Sequence, residues 1–258
     1  MITRFAPSPT GPLHLGHAYS AMVAHDMAQA AGGTFLLRIE DIDRSRVRPE
    51  WEQQIYDDLH WIGLSWPTPV LRQSGNLGAY RKAIETLWDQ GLLYPCSCNR
   101  KDILAAASAP QEGAPLIGPD GIIYPGTCRH DPTYPCPTDV PLRLNMTRAA
   151  PELSASIGDV VLSRRDMNTS YHLSVVVDDA AQEITDVVRG EDLEDATPIH
   201  KLLQKLLGYP TPRYHHHRLI RDENGKRLAK RDDARALSKF RTEGATPNDI
   251  RRLVGLST

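Results

Sequence analysis

The sequence predicts an α/β fold organised on a parallel sheet. Three stretches carry that expectation. Residues 2–6 read as a short strand. Residues 18–31 are rich in Ala and Met and hold no Gly or Pro until the helix is complete. Residues 34–39, Thr-Phe-Leu-Leu-Arg-Ile, read as a buried strand. Strand, helix and strand within forty residues imply parallel neighbours joined by a right-handed crossover. Ligands of such sheets bind at the carboxyl ends of the strands.

The turn between the first strand and its helix is the most informative stretch. It runs Arg4-Phe5-Ala6-Pro7-Ser8-Pro9-Thr10-Gly11-Pro12-Leu13-His14-Leu15-Gly16-His17. At a helix start the first backbone N–H groups lack internal partners and the helix dipole adds positive charge, so a phosphate is well received there. Gly11 and Gly16 permit close backbone approach. His14 and His17 add imidazole donors able to follow charge onto phosphate oxygens. Further on, Arg4 and the run Glu40-Asp41-Ile42-Asp43-Arg44 fall at or near strand ends, where a cation and carboxylates can face one site.

Composition sets the frame. The chain has 258 residues, enough for one large or two modest domains. It is 40% hydrophobic and 24% charged, which describes a globular protein and excludes a disordered one. There is no basic-then-apolar leader and no apolar run approaching ~20 residues, so cytoplasmic residence is expected. Net charge is −2, from 30 basic and 32 acidic residues. Residues 218–241, however, carry nine Lys or Arg against four acids and are locally +5, a surface suited to phosphate.

The remaining elements read in order. Pro49 opens a helix to about residue 62 with Trp51, Ile55, Leu59 and Ile62 on one face; Trp51 and Trp61 are packing aromatics. A second helix spans about 77–90 and stops at Gly91. Residues 95–141 then hold nine of the 20 prolines and all four cysteines, without long apolar periodicity. This reads as an inserted subdomain lacking a sufficient core. Cys96, Cys98, Cys128 and Cys136 are spaced as for tetrahedral zinc rather than for disulfides, since cytoplasmic thiols stay reduced. On residue chemistry alone all four thiolates are nominated.

Residues 160–162 and 174–177 read as strands, as do 184–189, ending at Arg189. An Arg there offers a carboxylate the bidentate geometry that Lys lacks. Thr197-Pro198 caps an amphipathic helix through Leu207 that ends at Gly208. Three successive histidines, His215, His216 and His217, lie in a strand, point to alternate faces and do not converge on a metal. Gly225-Lys226-Arg227-Leu228-Ala229-Lys230-Arg231 is a basic loop.

The helix-start run, with its Pro-Ser-Pro-Thr-Gly-Pro-Leu lead and His-x-Gly-His, strongly resembles the nucleotide signature of class I aminoacyl-tRNA synthetases of the glutamyl and glutaminyl branch. Arg-Ile-Glu-Asp-Ile-Asp-Arg, Tyr-His-Leu-Ser-Val-Val-Val-Asp-Asp and Val-Val-Arg-Gly-Glu-Asp-Leu resemble further motifs of that family, in family order. The resemblance implies a Rossmann-like parallel sheet with an inserted zinc-stapled subdomain and a helical C-terminal part. It divides the chain into two catalytic halves at 1–94 and 142–208, an insert at 95–141, and a mobile-loop and helical region at 209–258.

Site roles follow from the same resemblance. Arg4, Phe5, Ala6, Pro7, Ser8, Glu40, Tyr171 and Arg189 would surround glutamate. His14, Gly16, His17 and Lys230 would bind ATP, which arrives with Mg²⁺, and serve catalysis. The basic loop occupies the place of the family's Lys-Met-Ser-Lys-Ser loop. There Arg227 replaces the first lysine and Ala229 a serine, a departure that puts closure or rate in doubt. Tyr-Pro-Cys-Ser-Cys and Tyr-Pro-Gly-Thr-Cys-Arg resemble a zinc motif whose ligands are Cys96, Cys98, Tyr124 and Cys128, leaving Cys136 spare. A tyrosine ligand needs the metal to polarise its phenol, whose ordinary pKa is ~10.

Only 28 residues follow Lys230, fewer than the ~50 an anticodon-binding domain needs. The architecture therefore resembles that of truncated relatives of glutamyl-tRNA synthetase, and that resemblance implies a monomer acting on L-glutamate, ATP and tRNA(Asp) bearing queuosine. The competing readings are a minimal synthetase charging tRNA(Glu) at its 3′ end, a small-molecule nucleotidyltransferase, and a catalytically decayed RNA-binding module.

Overall fold

The computed structural model describes residues 1–107, 117–119, 121–130, 135–221 and 235–257. The chain forms two compact units. One comprises Met1–Gly75, Gln182–Glu194 and Pro212–Thr258; the other comprises Asn76–Ala181 and Asp195–Thr211.

In chain order the first unit begins with β1 (Ile2–Phe5), α1 (Leu15–Ala30), β2 (Thr34–Ile39), α2 (Pro49–Trp61) and β3 (Leu71–Arg72). The second unit follows with α3 (Leu77–Asp89), β4 (Leu93–Pro95), α4 (Arg100–Ala107), β5 (Ile117–Gly118) and β6 (Gly121–Ile122). It continues through β7 (Leu142–Leu144), α5 (Met146–Ala149), α6 (Pro151–Ile157), β8 (Val161–Ser163) and α7 (Tyr171–Ala181). The chain returns to the first unit for β9 (Asp186–Gly190), gives α8 (Thr197–Leu207) to the second, and closes the first with β10 (Arg213–His217), α9 (Leu237–Thr242) and α10 (Pro247–Leu253).

In the first unit β1 pairs parallel with β2, Arg4 opposite Leu36, and β2 pairs parallel with β3. β9 pairs parallel with β10, Arg189 opposite His216. β9 lies beside β1, where the Thr185 N–H donates to the Ile2 carbonyl at 3.0 Å. The crossover helix α1 turns Ala18, Ala21, Met22, Ala24 and Ala28 inward. These small side chains let it sit close to Phe35, Leu37 and Ile39 in one core that also takes in Leu237, Phe240 and Ile250. The buried Thr3 hydroxyl is satisfied by donating to the Ala24 carbonyl at 2.7 Å.

In the second unit β4, β7 and β8 form an antiparallel sheet in that order, and α7 packs against α3 and α8. Two expectations are corrected here. Residues 174–177 are not a strand but the middle of α7. A short apolar run such as Val175-Val176-Val177 does not distinguish a strand from a buried helix, and α7 is buried at every position from His172 to Asp179. The Asp178 carboxylate on this helix accepts from Tyr80 Oη at 2.8 Å and Asn76 Nδ2 at 2.7 Å, so its burial is compensated. Thr197 does not cap α8: Ala196 occupies that position without a side-chain bond, and Thr197 is the first helical residue. The helix does stop at Gly208, which adopts φ 70°. Among its described residues the insert also contains a helix, α4, that sequence periodicity did not signal because it buries none of its residues.

Candidate functional site

The start of α1 is built by its own histidines. His14 is the capping residue, and its Nδ1 accepts the Gly16 N–H at 3.1 Å. Reciprocally, His17 Nδ1 accepts the His14 N–H at 3.1 Å, and the two ring centres are 3.8 Å apart. This is a capping box made with imidazoles in place of Ser and Glu. With both Nδ1 atoms accepting, the neutral rings carry their protons on Nε2, the donor form that suits an anionic oxygen. Gly16 leaves room for this: a Cβ there would lie 3.0 Å from His14 Cε1, so the ring would have to shift to accommodate it.

The turn is fastened to a distant part of the first unit. His14 and Ala236 form an antiparallel bridge, and the Leu237 N–H donates to the Leu13 carbonyl at 2.8 Å. Lys230, Arg227 and Ala229 lie outside the described residues. On either side of the undescribed stretch, Ile220 and Leu237 are buried in the same core.

Arg4, Glu40 and Arg189 fall at the carboxyl ends of β1, β2 and β9. Arg4 and Arg189 are both buried. Phe5 is buried in the core, and Pro7 draws the turn against β2, its carbonyl accepting the Glu40 N–H at 3.0 Å. Ala6 and Ser8 are half-buried. The Glu40 carboxylate is 3.6 Å from Arg38 Nη2. Arg189 donates from Nη2 to the Leu193 carbonyl at 3.0 Å and lies over the Tyr214 ring at 5.0 Å. Asp41 turns away, accepting from the Ser74 N–H and hydroxyl.

The three histidines of β10 diverge as expected. His215 Nε2 is 2.8 Å from Asp186 Oδ1, whereas His216 faces Arg189. Burial beside the Arg189 guanidinium holds His216 below the usual histidine range. Burial alone would raise Asp186, but hydrogen bonds from Arg213, Thr185 and His215 more than offset this and hold it down to about 2.

In the second unit, Tyr171 opens α7 with the edges of two rings against it, His172 at 5.5 Å and His200 at 5.7 Å between centres. His172 Nδ1 and His200 Nε2 share a hydrogen bond at 3.0 Å, and both rings are buried. Sequence reasoning missed this pair. The only signal was a histidine in each of two apolar runs, one of which reads as a strand in sequence.

The cysteines of the insert separate into a cluster and an outlier. The Sγ atoms of Cys96, Cys98 and Cys128 lie within 4.8 Å of one another. Tyr124 Oη is 3.4 Å from both Cys96 Sγ and Cys98 Sγ and accepts the Cys128 N–H at 3.0 Å. Cys136 is not in the cluster; its Sγ faces the Pro137 carbonyl. Burial and hydrogen bonds with the three cysteines hold the Tyr124 phenol above the usual tyrosine range. The donor set, three thiols and a phenol converging from two turns, fits a tetrahedral thiophilic ion. A cavity of about 880 Å³ adjoins the cluster and reaches Tyr171 and His172. Among its lining residues are Arg143 and Asp159, also missed from sequence.

Comparison with known proteins accords with these features. The catalytic-domain profile of class I tRNA synthetases (E and Q) matches residues 1–114 and 144–257. A glutamyl-Q tRNA(Asp) synthetase of Rhodobacter capsulatus is 62% identical over 99% of this chain and 100% of its own length. One from Geobacter sulfurreducens is 41% identical over 93% of this chain and 79% of the relative. The crystal structure of a glutamate-tRNA synthetase from Elizabethkingia anophelis superposes with a TM-score of 0.79 at 26% identity, over 99% of this chain. The chain spans 61% of that protein's length. Since both the profile and these relatives run through most of its residues, the chain belongs to the class I tRNA synthetases of the E and Q type.

Proposed function

We propose that the chain activates L-glutamate with ATP and transfers the glutamyl group to queuosine in the anticodon of tRNA(Asp). The observation that carries this reading is the 62% identity to a glutamyl-Q tRNA(Asp) synthetase matched along its whole length. Activation needs no side-chain nucleophile. A glutamate carboxylate oxygen attacks the α-phosphorus, pyrophosphate leaves, and positioning with charge stabilisation carries the rate. The hydroxyl of the acceptor nucleoside then attacks the activated carbonyl and AMP leaves.

Within this reading His14 and His17 present Nε2–H to the ATP phosphates, with Gly16 keeping the rings folded over the helix start. Lys230 adds a cation, and ATP brings its Mg²⁺. Arg4 and Arg189 receive the substrate carboxylates and Glu40 the α-ammonium, while the backbone of residues 5–8 and Tyr171 complete the glutamate site. A guanidinium in a desolvated pocket favours glutamate over glutamine, which would leave it unpaired. Cys96, Cys98, Tyr124 and Cys128 would hold a structural zinc, which supplies a cross-link to a Pro-rich insert with little core of its own. Thiolate ligation of this kind suits a reducing, cytoplasmic setting.

The test is to supply labelled glutamate and ATP with tRNA(Asp) from cells that make queuosine, from cells that do not, and with the 3′ CCA end trimmed. The reading expects acceptance by the first and third and none by the second. Lys230→Ala should reduce glutamate-dependent pyrophosphate exchange by ~10²-fold, typical for loss of a charge-stabilising group. A second reading, charging of tRNA(Glu) at its 3′ end, is favoured by the likeness to glutamate-tRNA synthetase. Glutamate esterified to that end, and lost on trimming, would establish it instead.

A further inference from the structure

Arg143 sits at the centre of β7 between Leu142 and Leu144 and is only 9% exposed. Its Nε donates to Cys96 Sγ at 3.3 Å, and its guanidinium carbon is 4.1 Å from the centre of the Tyr124 ring. One side chain thus touches two of the four candidate ligands. Its Nη1 donates to the Asp159 backbone carbonyl at 2.8 Å.

The Asp159 carboxylate is committed elsewhere. It accepts from Arg129 at 2.6 and 3.0 Å, from the Met146 N–H at 2.9 Å and from the Tyr94 hydroxyl. Among the described residues no carboxylate lies within ion-pair distance of Arg143. A cation buried without an anion is costly. What Arg143 does face is a sulfur and the negative face of an aromatic ring. Three thiolates around a divalent ion carry net negative charge, so the loaded centre provides a counter-charge that no described carboxylate supplies at ion-pair distance.

We propose that Arg143 is a positioning residue of the metal centre. It orients the Cys96 sulfur through Nε and, by stacking, holds the Tyr124 ring so that Oη faces the three sulfurs. The inference rests on the metal reading above and adds to it the group that sets the fourth ligand. Lysine cannot reproduce it, because a compact ammonium does not donate along one edge while stacking through its face.

The test uses the full chain as wild type, Arg143→Met and Arg143→Lys. Zinc affinity is read by competition with a chromogenic chelator, and the ligand field by the visible spectrum of the cobalt-substituted protein. Arg143→Met should bind zinc ~10–100-fold more weakly, the usual cost of removing a group that supports a metal ligand, and should shift the cobalt bands. Arg143→Lys should recover part of the affinity but keep an altered spectrum. Circular dichroism identifies folded variants, and if Arg143→Met does not fold, Arg143→Lys decides. Wild-type affinity and an unchanged cobalt spectrum in a folded variant overturn the assignment of Arg143 alone. A wild-type chain that takes up neither zinc nor cobalt overturns the metal reading and this one together.

Discussion

His14 Nδ1 accepts the Gly16 N–H at 3.1 Å, and a methyl group on Gly16 would lie 3.0 Å from the same ring. The helix cap and the candidate phosphate donor are therefore one side chain. Gly16→Ala should displace the imidazole and reduce pyrophosphate exchange by ~10-fold or more, while a lost cap worth ~1 kcal/mol is partly offset by alanine's helix preference. Melting and exchange measured on the same preparation check this. Equal losses of stability and activity would contradict a local effect.

His200 reaches Tyr171 from a different helix and shares a hydrogen bond with His172. Removing it by His200→Ala should loosen Tyr171 at the head of α7. The expected result is a glutamate KM raised by about 3- to 10-fold, a coupling of order ~1 kcal/mol, with the ATP KM little changed. A parallel rise in both constants would point to general unfolding of the unit.

Asp58 on α2 is fully buried, and its Oδ1 lies 3.5 Å from Arg241 Nη2. Burial dominates over that pairing and pushes the carboxyl up to about 6 from an ordinary 3.8. Because folding prefers the neutral acid, its contribution is fully present below pH ~4 and is lost as pH rises through about 6. Asp58→Asn should thus stabilise the protein at pH 8 by about 1 kcal/mol, less than the full shift because the Arg241 pair is also lost. The gain should shrink at pH 5, as followed by denaturant unfolding at the two pH values.

Asp186 titrates in the opposite sense. Burial works against it, but Arg213, Thr185 and His215 hold it down to about 2. Its contribution is present above pH ~4 and disappears as pH falls through about 2. Asp186→Asn should cost about 2 kcal/mol at neutral pH, with the difference from wild type vanishing near pH 2. Stability curves against pH for both proteins test the sign directly.

Local chemistry made much of this molecule readable in sequence. Residues 34–39 form β2 as read, Pro49 opens α2 and Gly208 ends α8, because each is set by side chains within one turn or strand. The misread stretch 174–177 shows the limit: three valines fit a pleated strand and a helix buried on all sides equally well. His14, Gly16 and His17 announce a helix start, but the tautomers come only from the reciprocal bonds. Arg143 and Asp159 were invisible because their partners Cys96 and Tyr94 lie 47 and 65 positions away. A lone arginine in Leu-Arg-Leu gives no hint of what it will face.

The Asp159 carboxylate ties three segments together: Tyr94 in β4, Arg129 just beyond Cys128, and the amide of Met146 that begins α5. The turn bearing Tyr124 and Cys128 is consequently tethered twice, through its sulfur on one side and through Arg129 on the other. Removing the ion proposed for this cluster should then produce a sub-global opening rather than collapse of the unit. In hydrogen exchange the Cys128 amide, whose partner is Tyr124 Oη, should lose protection when a chelator is added. The Leu144 amide, bonded to the Val160 carbonyl, should retain it. A single carboxylate would in this way set the boundary between the part of the fold that breathes and the part that does not.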